Sequence, residues 1–224
     1  MSKYVIVDLE MCNVPKGCAE NRFNWRNELI QIGAVCLDDT FEIEDTFMTY
    51  VHPEFGIIDK RIEDLTGITV NDTKYAPVAG KALESFAEWL PDDAVLVSWS
   101  DNDENQIRKE LEFKQLHIPR LEEHMGDWVD CQKTFGQKMN ARKCYKLSEA
   151  LNIAGIIYEY GEHDALVDAK NTAMLFAKME KEPELVLSPY YAKTGTVAVC
   201  ASGNFNDVSA NPFAQLLAKY NFAV

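Results

Sequence analysis

The segment Lys3–Met11, KYVIVDLEM, constrains this chain more than any other. Val5, Val7, Leu9 and Met11 alternate with Tyr4, Ile6, Asp8 and Glu10. Alternation with a period of two is the pattern of a β-strand, because successive side chains point to opposite faces. Asp8 and Glu10 therefore share a face, two residues of strand rise or about 6–7 Å apart. An apolar strand that ends in two same-face carboxylates is in conflict with itself. The charges repel, and burying either unpaired is costly. A bound cation removes that conflict.

The rest of the chain supplies a framework for such a strand. Asn13–Arg26 reads as a loop, and Leu29–Leu37 and Ile43–His52 as strands that form a meander with the first. Ala79, Leu83, Phe86, Ala87 and Leu90 recur at helical spacing and predict a helix over Pro77–Leu90, followed by a short buried strand at Ala94–Trp99. A second helix is expected over Asp101–Gln115 and a fifth strand at Trp128–Cys131. Later helices run through Leu147–Leu151 and Asp164–Met179. Hairpins first and helical crossovers after them predict an α/β fold with a mixed five-stranded sheet flanked by helices. The expected division is a domain over residues 1–182 and a C-terminal appendage over 183–224. Within the appendage, Gly195–Cys200 reads as a strand and Pro212–Tyr220 as a short helix.

Composition narrows the function. The 224 residues suit one sizeable core, and no apolar run approaches the roughly 18 residues of a membrane helix. No secretory leader is recognisable at the N-terminus, so an intracellular, cytoplasmic protein without membrane association is expected. Six scattered cysteines without a CxxC pair predict free thiols and argue against a zinc ribbon. The net charge of −14 opposes unspecific attraction to nucleic acid. One stretch runs the other way. Between Cys131 and Leu147 lie Lys133, Lys138, Arg142, Lys143 and Lys146 with no acidic residue, either a solvated face or a phosphate-contacting patch.

Two further groups complete the candidate site. Asp101 and Asp103 follow the buried strand at the start of a helix, where an acid is commonly a plain N-cap. His163 precedes the last long helix, with Asp164 at its entrance and Asp168 on its second turn. Each of these is weak alone. Together they amount to four acids and one histidine on an α/β frame, a set of hard oxygen donors suited to Mg²⁺ with a group able to take a proton from water near neutral pH.

In these contexts the chain resembles the DEDDh 3′–5′ exonucleases, which have a ribonuclease H-like fold. DLE (Asp8, Glu10) matches the first motif, SWSDND (Asp103) the second, and HDALVDA (His163, Asp168) the third in its histidine form. ELIQIGAV, LTGIT and YKLSEALNIAG match as well, and the likeness covers roughly Lys3 to Lys181. The contexts are most similar to the branch of the Eri-1-type RNA exonucleases. The resemblance implies that two Mg²⁺ or Mn²⁺ ions are held by Asp8, Glu10, Asp103 and Asp168, with His163 as general base. It favours Asp103 over Asp101 and Asp168 over Asp164. It implies a pocket for the terminal nucleotide lined by Met11, Cys12, Leu65 and Thr66. The expected partner is single-stranded nucleic acid with a free 3′ end, RNA favoured over DNA, and the expected products are nucleoside 5′-monophosphates. The alternative is a non-catalytic nucleic-acid-binding or regulatory module on the same fold. One position departs from the pattern. Members of the branch often carry an aromatic just before the second-motif acid, where this chain has Asn102.

Overall fold

A computed structural model describes residues 3–16, 25–141, 143–158, 161, 163–189 and 191. The chain divides into two units, Met1–Ser188 and Pro189–Val224. The expected strand at 195–200 and helix at 212–220 lie outside the described residues.

The first unit is built on a five-stranded mixed sheet. β1 (Lys3–Asn13), β2 (Asn27–Leu37) and β3 (Ile43–Tyr50) form the expected antiparallel meander. β4 (Ala94–Ser98) lies parallel to β1, and β5 (Val129–Asp130) parallel to β4, giving the order β3-β2-β1-β4-β5. On one face Val5, Val7 and Leu9 of β1 and Ile32, Ala34 and Cys36 of β2 pack against α3 (Ala79–Trp89), which contributes Ala79, Ala82, Leu83, Phe86 and Ala87. α8 (Ala165–Lys181) covers the opposite face, where the rings of Tyr4 and Phe176 lie 5.0 Å apart. Ten of the eleven β2 residues are buried, as befits a strand enclosed by helices on both sides.

Six other α-helices lie among the described residues of the unit. The expected helix after β4 is α4 (Asp101–Phe113), and that around Leu147 is α7 (Leu147–Ala154). Four short helices were not expected: α1 (Lys60–Thr66), α2 (Val70–Thr73), α5 (Pro119–His124) and α6 (Cys131–Lys138). One or two turns are too short for an apolar period to register, and such helices are held by tertiary packing and caps. At α1 the Asp59 carboxylate accepts from Ile62 N, and Gly67 closes the helix in the left-handed region at φ 72°.

A buried ionic cluster fixes α4 to β2. Glu28, fully buried, accepts from Glu54 N and Phe55 N at 2.8 Å and from Lys114 Nζ at 2.6 Å. Lys114 also reaches Glu54 at 2.9 Å and Glu110 at 3.3 Å, and Glu110 accepts from Leu29 N at 2.8 Å. The cluster therefore sets where α4 begins, two turns earlier in the chain, beside the end of β1. No helix among the described residues is long and apolar enough to cross a membrane.

Candidate active site

The β1–β4 pairing ends at Ile6 and Val97, whereas β1 runs on to Asn13. Past that point the β1 edge is open, and α4 enters it. Asp103 Oδ1 accepts from Leu9 N at 3.1 Å, so this carboxylate is tied to the backbone between Asp8 and Glu10. Neither Asp101 nor Asp103 is the N-cap of α4. Ser100 is, its hydroxyl accepting from Asn102 N. Asp103 is then a buried first-turn residue, while Asp101 is exposed and pairs with Lys133 at 3.5 Å.

The second wall of the site is the start of α8. In the antiparallel register Glu10 stands opposite Gln31 and Asp8 opposite Gly33. Directly opposed residues share a face, so Gln31 and Gly33 lie beside the two acids and under α8. Asp164 is the α8 N-cap, accepting from Leu166 N at 3.0 Å and Val167 N at 3.1 Å. Asp168 lies in the first turn of α8, not the second, because the helix starts at Ala165. Its Oδ2 accepts from His163 N at 2.9 Å, and His163 itself is held in the left-handed region at φ 67°. Ligand atoms of Glu10, His163 and Asp168 lie within 4.8 Å of one another.

The electrostatics of this convergence are unfavourable without a cation. Loss of solvent pushes the Asp8 carboxyl well up, and the charges of Asp103, Glu10, Asp168 and Asp164 add to it. Burial, then Asp168, Asp103 and Asp164, push Glu10 up to about 8. Burial pushes Asp103 up to about 7, opposed by the hydrogen bond from Leu9 N. Carboxylates that repel in a dry place, with a histidine among them, are a donor set that fits hard divalent cations.

The residues proposed for the terminal nucleotide divide. Leu65 is 47% exposed on α1. Met11 is half-buried against the main core. The Thr66 hydroxyl is spent within its own helix end, donating to Ile62 O and accepting from Ile68 N. The Cys12 side chain is 1% exposed in a small cluster with Ile30, Ile58, Ile62 and Ile68, where burial pushes its thiol up to about 12. The thiol is covered by Gly56 and by Ile58, Ile62 and Ile68, so the backbone of Cys12 and not its side chain is what this segment offers a nucleotide. The basic residues between Cys131 and Leu147 have different surroundings. Lys133 pairs with Asp130 at 2.9 Å, Lys138 donates to the carbonyls of Glu182 and Pro183, and Lys143 pairs with Glu149. Arg142 lies outside the described residues. Lys146, exposed, opens onto a groove of about 530 Å³ beside the acids, where Trp99, Asn102, Ser148, His163 and Asp168 also face.

Sequence reasoning missed Gln31 and Gly33. The signal was present: a glutamine and a glycine two apart inside the apolar run LIQIGAVC, opposite DLE once the hairpin register is known.

Comparison with known proteins gives the family of the chain. Residues 5–176 match a family model described as Exonuclease. The chain is 30% identical over 199 residues to ERI1 exoribonuclease 2 of Danio rerio, covering 78% of this chain and 34% of that protein. It is 26% identical over 174 residues to 3′-5′ exoribonuclease 1 of Rattus norvegicus, covering 72% of this chain and 50% of that protein. The chain thus spans a third to a half of the length of these curated relatives. Among solved structures, the nuclease domain of 3′hExo, a DEDDh family member, bound to rAMP, has a TM-score of 0.69 at 25% identity, covering 84% of this chain and 96% of that one.

Proposed function

We propose, for a chain that belongs to the exonuclease family and has its ribonuclease H-like fold, that it removes nucleotides one at a time from the free 3′ end of single-stranded RNA, releasing nucleoside 5′-monophosphates. The observation that carries this reading is the convergence of Asp8, Glu10, Asp103, His163 and Asp168 from three separate elements onto the end of β1. Relatives named as exoribonucleases support RNA over DNA.

The four carboxylates would hold two Mg²⁺ or Mn²⁺ ions. Bound there, the ions supply positive charge to the phosphate oxygens and to the departing 3′-oxygen, and make water more acidic. The chain's own residues do the rest. Asp103, anchored on Leu9 N, and Asp168, anchored on His163 N, hold their oxygens in place before substrate arrives. The His163 ring takes a proton from the attacking water. The water oxygen bonds to phosphorus, the P–O3′ bond breaks, and the 3′-oxygen leaves with the shortened strand and takes up a proton. Proton transfer of this kind contributes about 10²- to 10⁴-fold. Asn102 and Lys146 face the groove through which the strand would pass, one offering an amide and the other a cation for phosphate.

The test is incubation of the protein with 3′-labelled RNA and DNA oligomers of matched sequence in Mg²⁺ or Mn²⁺. Wild type should release labelled mononucleotides, faster from RNA, and the double substitution Asp8→Ala, Glu10→Ala should release none. Absence of release from both strands with both ions refutes the reading.

A further inference from the structure

Gln31 is fully buried in β2, within a strand otherwise built to pack against helices. A buried primary amide is costly unless both ends are hydrogen-bonded. Both are. Gln31 Oε1 accepts from Ala165 N at 3.0 Å, and Gln31 Nε2 donates to Asp164 Oδ2 at 3.4 Å. The orientation is forced, since an N–H cannot accept and an ionised carboxylate cannot donate. The two partners are the N-cap and first residue of α8, and Ala165 N is one of the orphan donors every helix start must satisfy. On the other side, Gln31 is the cross-strand neighbour of Glu10. Two residues on, Gly33 leaves room for the Ala165 backbone to lie directly on the sheet. One side chain thus spans from the strand that flanks Glu10 to the turn that presents His163 and Asp168.

We infer that Gln31 is a positioning residue that sets the spacing between Glu10 on the sheet and His163 and Asp168 at the α8 start. This rests on the exonuclease reading for what the spacing serves. The amide touches neither substrate nor reacting atoms. It acts through Ala165 and Asp164, whose backbone is continuous with His163 on one side and one turn from Asp168 on the other. Groups that orient metal-holding side chains from behind typically govern affinity or activity by 10- to 100-fold.

The test uses Gln31→Met, close in volume and without hydrogen-bonding capacity, and Gln31→Asn, which keeps the amide but shortens its reach. Mn²⁺ binding is measured by titration calorimetry without substrate, together with kcat and KM on RNA and the melting temperature. Phe86→Leu, in the core on the opposite face of the sheet, serves as a control of general destabilisation. Both Gln31 variants should weaken Mn²⁺ binding and lower kcat about 10- to 100-fold with KM within twofold, whereas Phe86→Leu should lower only the melting temperature. If either folded Gln31 variant binds Mn²⁺ within twofold of wild type, the inference is overturned, and Gln31→Asn decides if Gln31→Met does not fold. A wild type that binds Mn²⁺ but degrades no strand overturns the exonuclease reading and leaves the calorimetric comparison intact. A wild type that binds no Mn²⁺ overturns both.

Discussion

Gly33→Ala is the smallest perturbation that reaches the site without touching a functional group. A Cβ at this position would lie 2.2 Å from Ala165 C, 2.3 Å from Leu166 N and 2.5 Å from Ala165 O. All three atoms are backbone, so no side chain can swing away. Opening the shortest of these to ordinary contact at 3.4 Å requires the first turn of α8 to retreat by about 1.2 Å. Such a retreat stretches the 3.0 Å bond from Ala165 N to Gln31 beyond hydrogen-bonding range. Overpacking of this kind costs about 1–3 kcal/mol, and a buried donor left unmet costs about 1–3 kcal/mol more. At roughly 2–4 °C per kcal/mol for a unit of this size, the melting temperature should fall by about 5–20 °C. His163 and Asp168 move with the turn, and a displacement near 1 Å at reacting groups costs about 10²-fold in rate. Differential scanning calorimetry and single-turnover RNA cleavage, the latter run well below the melting transition, read the two effects separately. A Gly33→Ala protein that melts within 2 °C of wild type and cleaves within twofold of its rate would refute the close-approach argument.

Three further outcomes are expected. In the metal-free protein burial pushes Glu10 up to about 8 and Asp103 up to about 7, above their unfolded values, so the native state holds more protons than the unfolded chain across this window. Stability then falls as pH rises from about 4.5 to 8; melting in EDTA should show this, and the gain on adding Mn²⁺ should be larger at pH 8.5 than at pH 6. His163→Ala should lower the cleavage rate about 10²- to 10⁴-fold while calorimetry finds Mn²⁺ affinity little changed; a collapse in affinity would make His163 a ligand and not the base. Lys114→Met leaves Glu28 and Glu110 buried without their cation, and urea denaturation should report a loss of about 3–5 kcal/mol.

The legible part of this molecule was its local periodicity. Period two through Tyr4–Met11 placed Asp8 and Glu10 on one face, and α3 followed from Ala79, Leu83, Phe86 and Ala87. The third motif was legible in order, with Asp164 at the helix entrance, and was shifted only in that Asp168 falls in the first turn of α8 and not the second. The cap of α4 went to Ser100. A serine before two aspartates offers three possible caps, and the geometry of the β1 edge draws Asp103 inward to Leu9 N. The short helices α1, α2, α5 and α6 left no period to read.

Along one dimension, then, the chain determined which residues could carry the chemistry, since strand and helix periods follow from the order of apolar and polar side chains. The tertiary structure decided which of them meet. Asp103 was separated from Asp101, and Asp168 from Asp164, by hydrogen bonds to Leu9 N and His163 N that span distant elements or tight backbone turns. Cys12 was buried by Gly56, Ile58, Ile62 and Ile68, which lie far from it along the chain, and Gln31 and Gly33 acquired their roles from the approach of α8 to β2. Such pairings depend on register and packing between elements far apart in sequence, and no local pattern of residues contains them.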